Sequence, residues 1–404
     1  MTPVELSRTV LRAVRRAVDE GELRVSVPER VVVTVPGPGG CGDYATNVAL
    51  QLARPAGQPP LRVAEILRPH LADVDGVTDV VVTGPGFLNI SLGSAAPAEV
   101  VADILRAGTE YGHRDADAQG GPNAKGGPDE YGHEPRTDLV SLSCPPEVRA
   151  VVVTDVVARI LRSQGAAVRA WCDGEIAPQW GAVLGVRLDG RPEQGEGAAP
   201  QPPGSASSPH YSVRPVPAPA DPLPLGRDAA RWALLHPAGH DRPRIDDEHL
   251  VQRESNPLFR VRYAHARTRA LSRNAADLGF DAEPGDVRLN LDLNIDLAPR
   301  DVRHHPHPHA RRPQHATPHH PLIPLLADHP RTLTQAAAHR APDRLARHLV
   351  SVADAVLPLL PAVLPRGAEK PSAAHRARLA LAEAAGTVLA GGLSLLGIDA
   401  PDHL

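Results

Sequence analysis

The sequence predicts a multidomain chain: an α+β N-terminal domain, then a short α/β unit, then an all-α helical bundle. Three observations support this order. Residues 1 to 110 mix helix-period segments with β-rich runs, residues 137 to 190 hold one strand–helix–strand pattern, and residues 223 to 404 carry long helix-period stretches. Composition breaks separate the blocks. Residues 111 to 136 are rich in Gly, Asp and Pro and contain Tyr-Gly-His twice, and residues 191 to 222 are rich in Pro, Gly and Ser. Such stretches bury little and read as linkers. Residues 301 to 320 carry seven histidines among prolines and read as a loop within the helical block.

At 404 residues, with 42% hydrophobic and 22% charged side chains, the chain fits the soluble globular class. No uninterrupted apolar run reaches the ~18 residues of a membrane helix, and the first twenty residues lack an apolar leader core. Cys41, Cys144 and Cys172 form no paired framework, so a reducing cytoplasm is expected. A net charge of −4 excludes a polycation. Lys125 and Lys370 are the only lysines, and arginine supplies almost all positive charge. GC-rich coding accounts for that bias, as would a demand for planar forks that grip phosphate.

In the first block a helix is expected over 3 to 20, then a strand in "RVVVTVP". "CGDYATNVALQLAR" follows, where Tyr44, Val48 and Leu52 recur at i, i+4 and i+8 and predict a helix capped by Asp43. Its other face offers Thr46, Asn47 and Gln51. A helix near 61 to 72 precedes "VTDVVVTGPGFLNISL", two β-rich runs about a Gly-Pro-Gly turn. Phe87 and Asn89 leave that turn two residues apart and so share a strand face. An aromatic and an amide there suit either a flipped-out base or a core residue and its cap. "GPGGCG" at 37 to 42 fits a dinucleotide-binding pattern, but in this context it reads as a turn.

"GDYATNVALQLAR", "PLRVAEILRPHL" and "VVVTGPGFLNISL", in that order and spacing, closely resemble the N-terminal additional domain of arginyl-tRNA synthetases. The resemblance implies a surface for the corner of tRNA, with Phe87 and Asn89 as base contacts. "GRDAARWALLHP" resembles the family's motif Asp-Ala-Leu-Arg, here Asp228-Ala229-Ala230-Arg231, and "RVRYAHARTRALSRNA" resembles the helix opening its anticodon-binding domain. On that helix Val261, Ala264, Thr268 and Leu271 form an apolar stripe. Arg262, His265, Arg269 and Arg273 form a basic one, suited to phosphates. By resemblance, anticodon-loop contacts fall on Tyr263, His348 and Leu404. The family usually carries Tyr and Met at the last two, so these departures bear on anticodon specificity.

The resemblance breaks in the middle. A class I synthetase needs a doubly wound sheet of roughly 150 residues or more, whereas 137 to 225 spans 89 residues. The strand "DLVSLS", the helix in "PEVRAVVVTDVVARILRSQG" and the strand "AVRAWC" read as a truncated, Rossmann-like remnant. The family's two phosphate-gripping histidines are not found in "SCPPEVRAVVV", where Glu147 sits at the helix start and Arg149 reads as a surface arginine. No lysine lies between 126 and 369 to form the family's signature loop.

The expectation is therefore a tRNA-binding paralogue without aminoacylation, and with no catalytic residue, resident cofactor or metal. The histidine tract, lacking an acidic second shell, would bind metal only adventitiously. The partner expected is tRNA, with the arginine tRNA the candidate; no DNA or membrane partner is expected, and the chain is expected to be a monomer. The alternatives are an active, divergent arginine–tRNA ligase, which would use ATP and arginine, and a protein-interaction scaffold.

Overall fold

A computed structural model describes residues 3–34, 36, 41–92, 95–114, 139–191, 209–285 and 321–404. The histidine tract, the second Tyr-Gly-His and most of both expected linkers lie outside the described residues. The chain divides into two compact units: Met1–Val101 with Glu283–Ala327 and Ser372–Arg378, and Ala102–Ala282 with Asp328–Pro371 and Leu379–Leu404.

The first unit is built on helix α1 (Pro3–Asp19), whose Leu6, Val10, Ala13, Val14 and Ala17 recur at helix spacing and are all buried. Strands β1 (Val33–Thr34), β2 (Tyr44–Thr46), β3 (Val77–Thr83) and β4 (Phe87–Leu92) form an antiparallel sheet of order β1-β2-β4-β3. Leu88 and Ile90 of β4, with Tyr44 and Val80, join α1, α2 (Val48–Ala56) and α3 (Pro60–Ala72) in one core. The helix predicted within 41 to 54, capped by Asp43, is corrected here. Tyr44 to Thr46 is strand, paired with Ile90 to Leu88, and the helix begins only at Val48. Thr46 is buried, donates to the Val32 carbonyl at 2.9 Å and accepts from the Val48 N–H, while the Gln51 amide donates to Asn47 Oδ1 at 2.9 Å. The polar face thus holds the strand–helix junction together.

Helix α4 (Ala95–Ala107) leads into the second unit. There β5 (Val140–Cys144), α5 (Val148–Ser163) and β6 (Val168–Cys172) form the expected βαβ unit, with β5 and β6 parallel. Nearly every side chain of α5 is buried, which explains its continuous apolar sequence. A third strand, β7 (His210–Ser212), pairs parallel with the other edge of β5 and lies inside the stretch expected as linker. It is anchored by a Trp171–His210 stack at 5.4 Å and by Val213 N–H on the Ser143 carbonyl at 2.8 Å. Helices α6 (Pro178–Leu184), α7 (Gly226–Leu235), α8 (Pro257–Asp277), α9 (Leu322–His339), α10 (Pro342–Val356) and α11 (Ala373–Leu396) complete the fold. Residues 342–362 and α11 are each long and apolar enough to cross a membrane, although neither is an uninterrupted apolar run. In α11, 72% of that stretch is buried within the protein, as in a core helix.

Candidate nucleic-acid interface

In the first unit the turn between β3 and β4 decides which side chain meets solvent. Thr83 faces Phe87 across a three-residue loop, and Gly86 turns at φ 132°. A Cβ there would lie 2.9 Å from the Pro60 main chain, so only glycine lets the hairpin pack on the start of α3. Phe87 emerges from this turn 41% exposed. Asn89 does not share that exposure. It is 2% exposed, and its amide donates to Thr83 Oγ1 at 2.6 Å and to the Val81 carbonyl at 3.3 Å. The expected base contact at Asn89 is corrected: the central strand β4 has a neighbour on each side, and its amide locks the hairpin.

In the second unit α8 is positioned by Asn256, whose side chain accepts from the Leu258 and Phe259 N–H groups and donates to the carbonyls of His249 and Val251. That cap sets the phase of the helix. Val261, Ala264, Thr268 and Leu271 are buried as expected. Tyr263 is 39% exposed and stacks on Phe259 with ring centroids 5.6 Å apart. Leu404, 54% exposed, and Phe259 line a cleft of about 340 Å³ with Asp228, His249, Asn256 and Arg262.

The basic stripe meets protein before it can meet phosphate. Arg262 Nη1 lies 3.5 Å from Asp228 Oδ2 in the wall of this cleft. Burial pushes the Asp228 carboxyl up, against the pull of Arg262 and the Asp399 N–H it accepts. His265 is buried and its Nδ1 lies 3.0 Å from the Pro401 carbonyl; burial lowers its pKa. Arg269 pairs with Asp402 at 3.1 Å, and Arg273 donates to the Asp402 carbonyl at 3.4 Å. Residues 401–403 therefore run along the stripe. Arg269 stays half exposed in this arrangement.

His348, expected as an anticodon-loop contact, is only 9% exposed. Its ring sits 5.2 Å from that of His329, its Nε2 has no hydrogen-bond partner, and burial lowers its pKa to about 4. The expectation is corrected: α10 turns this position inward, so it is part of the bundle core.

Arg149 is not a surface arginine. It is 1% exposed, and its five N–H groups reach five main-chain carbonyls: Nε to Leu234, Nη1 to Val216 and Asp241, Nη2 to Pro237 and Ala238, at 2.6 to 3.1 Å. Glu147, two residues earlier at the N-cap of α5, is exposed. Sequence reasoning missed the pairing of Asp155 with Arg231, of Asp228 with Arg262 and of Asp402 with Arg269, each between residues distant in sequence.

Comparison with known proteins agrees with both ends of the chain. Residues 5–92 match the family described as "Arginyl tRNA synthetase N terminal domain", and residues 261–404 match "DALR anticodon binding domain". An arginine–tRNA ligase of Frankia alni is 46% identical over 113 residues, covering 28% of this chain and 20% of that protein. One from Renibacterium salmoninarum is 41% identical over 171 residues, 42% of this chain and 30% of that protein. These matches thus span a fifth to three tenths of the two ligases. A ligase of Pseudarthrobacter chlorophenolicus aligns along all of both chains at 26% identity over 575 residues. In fold, the chain is similar to Thermus thermophilus arginyl-tRNA synthetase, with a TM-score of 0.58 and 16% identity over 100% of both chains. It is also similar to the Plasmodium falciparum arginyl-tRNA synthetase, with a TM-score of 0.64 and 8% identity over 100% of this chain and 99% of that one. The chain is an arginyl-tRNA synthetase-like protein that carries the family's N-terminal and DALR anticodon-binding domains.

Proposed function

We propose that this protein binds tRNA, with the arginine tRNA the candidate, and does not charge it. Binding is supported by the two matched domains and by the exposed rings that each unit presents, Phe87 in one and Tyr263, stacked on Phe259, in the other. Stacking on exposed aromatics is worth ~1–3 kcal/mol per base. The absence of charging rests on one observation. The turn from β5 into α5, where the resemblance places phosphate-gripping histidines, offers the carboxylate of Glu147 and an Arg149 whose donors are all consumed by carbonyls. A helix start normally favours anions, and a carboxylate there opposes triphosphate. The three free thiols, two of them buried, suit a reducing cytoplasm, and we place the protein there as a monomer.

A second reading, an active arginine–tRNA ligase with a divergent centre, has the comparisons in its favour. The relatives named above are arginine–tRNA ligases, and one aligns along the whole of this chain. Arginine-dependent ATP–pyrophosphate exchange by the purified full chain, run beside tRNA filter binding, separates the two. No exchange with tight, tRNA-selective binding is the expected result. Robust exchange establishes the ligase, and no preference for tRNA over unrelated RNA of equal length points to a protein-interaction scaffold.

A further inference from the structure

A second cavity of the second unit, about 430 Å³, is walled by the segment Leu234–Asp241 and by the junction of α9 with α10. Its volume is within the range of small-ligand sites. Its charges are unbalanced. Four guanidinium groups, Arg149, Arg340, Arg344 and Arg347, face two carboxylates, Asp241 and Asp343. Arg347 pairs with Asp343, and Arg149 bonds the Asp241 carbonyl beneath the rim. Among the described residues, Arg340 and Arg344 form no ion pair. The side chain of Arg344 reaches only the neutral Gln335 Oε1, at 3.4 Å.

Arg340 is held in place at a structural cost. It closes α9 at φ 52°, and no other non-glycine residue among those described has a positive φ. Arg340 N–H bonds the Ala337 carbonyl and Ala341 N–H the Ala336 carbonyl, a helix-terminating motif that usually takes glycine. The guanidinium lies 4.0 Å from the centroid of the Tyr211 ring, a stack that orients it. The first turn of α10 begins beside it without a side-chain cap, and its dipole favours an anion there.

We infer that this cavity binds a phosphate group, gripped by the guanidinium forks of Arg340 and Arg344. Two forks at one rim, bonded only to the neutral acceptors Ala338 O and Gln335 Oε1, fit the bidentate geometry of a phosphate group. The phosphate belongs either to a nucleic-acid backbone or to a free polyphosphate compound. The inference does not depend on tRNA being the partner of the protein.

The test uses the full chain and two substitutions. Arg340→Gly removes one fork and relieves the positive φ, so its Tm is expected to equal or exceed that of the wild type. Arg344→Gln removes the other on an exposed position. Inorganic tripolyphosphate is titrated calorimetrically, and tRNA is titrated by filter binding at several salt concentrations. Each substitution is expected to weaken binding of at least one ligand about tenfold, with the fold retained. Weakening of both ligands, with tripolyphosphate competing against tRNA, assigns the site to backbone phosphate. Weakening of tripolyphosphate alone assigns it to a free compound and leaves the tRNA reading to stand or fall separately. Unchanged behaviour of both variants toward both ligands overturns the inference, whether or not the wild type binds tRNA.

Discussion

Arg231 and Asp155 form a buried ion pair, Nη2 to Oδ2 at 2.7 Å, between α7 and α5. Arg231 Nε also donates to the Leu396 carbonyl and Nη1 to that of Leu184, so one side chain ties together α5, α6, α7 and α11. The arginine of the Asp-Ala-Ala-Arg motif is thus a structural node. Burial lowers its pKa, and Asp155 opposes that shift. Removing one partner leaves an uncompensated buried charge, which costs about 3–5 kcal/mol. Asp155→Ala is expected to lower stability by that amount in urea unfolding followed by circular dichroism. Gly397→Ala should destabilise as well, by about 1–3 kcal/mol. Gly397 turns at φ 71°, and a Cβ there would lie 2.5 Å from the Arg231 guanidinium. Wild-type stability of Asp155→Ala would show that the pair contributes little.

Acid should loosen the bundle core. His329 stacks on Tyr111 with centroids 6.1 Å apart and lies beside His348, with His113 also near. Burial holds His329 well below its ordinary pKa, with the charges of His348 and His113 acting in the same direction, and it lowers His348 to about 4. Both folded values lie below the unfolded value near 6.5. The contribution to stability is therefore complete above about pH 6.5 and is lost as pH falls toward the folded values. Each histidine contributes a slope of up to ~1.4 kcal/mol per pH unit. Unfolding free energy measured between pH 4.5 and 7 should rise with pH, and His348→Leu should flatten that slope by about one proton. An unchanged slope would assign the acid sensitivity to other groups.

Phe87 and Asn89 should separate by assay. Phe87→Ala is expected to weaken tRNA binding about 5- to 150-fold, the equivalent of one lost stack, and to leave the Tm unchanged. Asn89→Ala removes a buried amide and the partner of Thr83, and should cost about 1–3 kcal/mol of stability. Thermal unfolding and filter binding on the same preparations distinguish them. Normal RNA affinity in Phe87→Ala would reduce the turn to a structural element.

The 401–403 segment should compete with RNA for the α8 stripe. Asp402→Asn neutralises the partner of Arg269, an exposed pair worth ~0.2–1 kcal/mol, so RNA affinity should rise about 1.4- to 5-fold. The plot of log affinity against log salt should steepen by about 0.9 for one added phosphate contact. A weaker, salt-insensitive complex in this variant would mean that the segment itself touches the RNA.

Much of the local structure can be read from residue spacing. The buried face of α1, the apolar stripe of α8 and the hairpin about Gly-Pro-Gly each follow from a period or turn signal within one segment. The misread helix start shows where spacing stops being informative. Tyr44 and Val48 are four apart, a separation that keeps side chains on one face in a strand as well as in a helix. The pairing of Tyr44 with Ile90, 46 positions away, decided for the strand. Strand β7 was hidden for the same reason: three residues beside a Pro-rich tract gain their order from the edge of β5.

The sequence by itself determined which families the two ends resemble, the buried faces of α1 and α8, and that arginine would carry the positive charge. Tertiary structure alone decided which of those charges remain free. Arg149, Arg231, Arg262 and Arg269 look alike in the sequence, yet carbonyls saturate the first, Asp155 holds the second in the core, Asp228 pairs with the third and Asp402 with the fourth. Their acceptors lie 34 to 133 residues away or on another element, with 76 residues between Arg231 and Asp155 and 133 between Arg269 and Asp402. The availability of a cation depends on what folding brings within about 3 Å of it, and no local period encodes that.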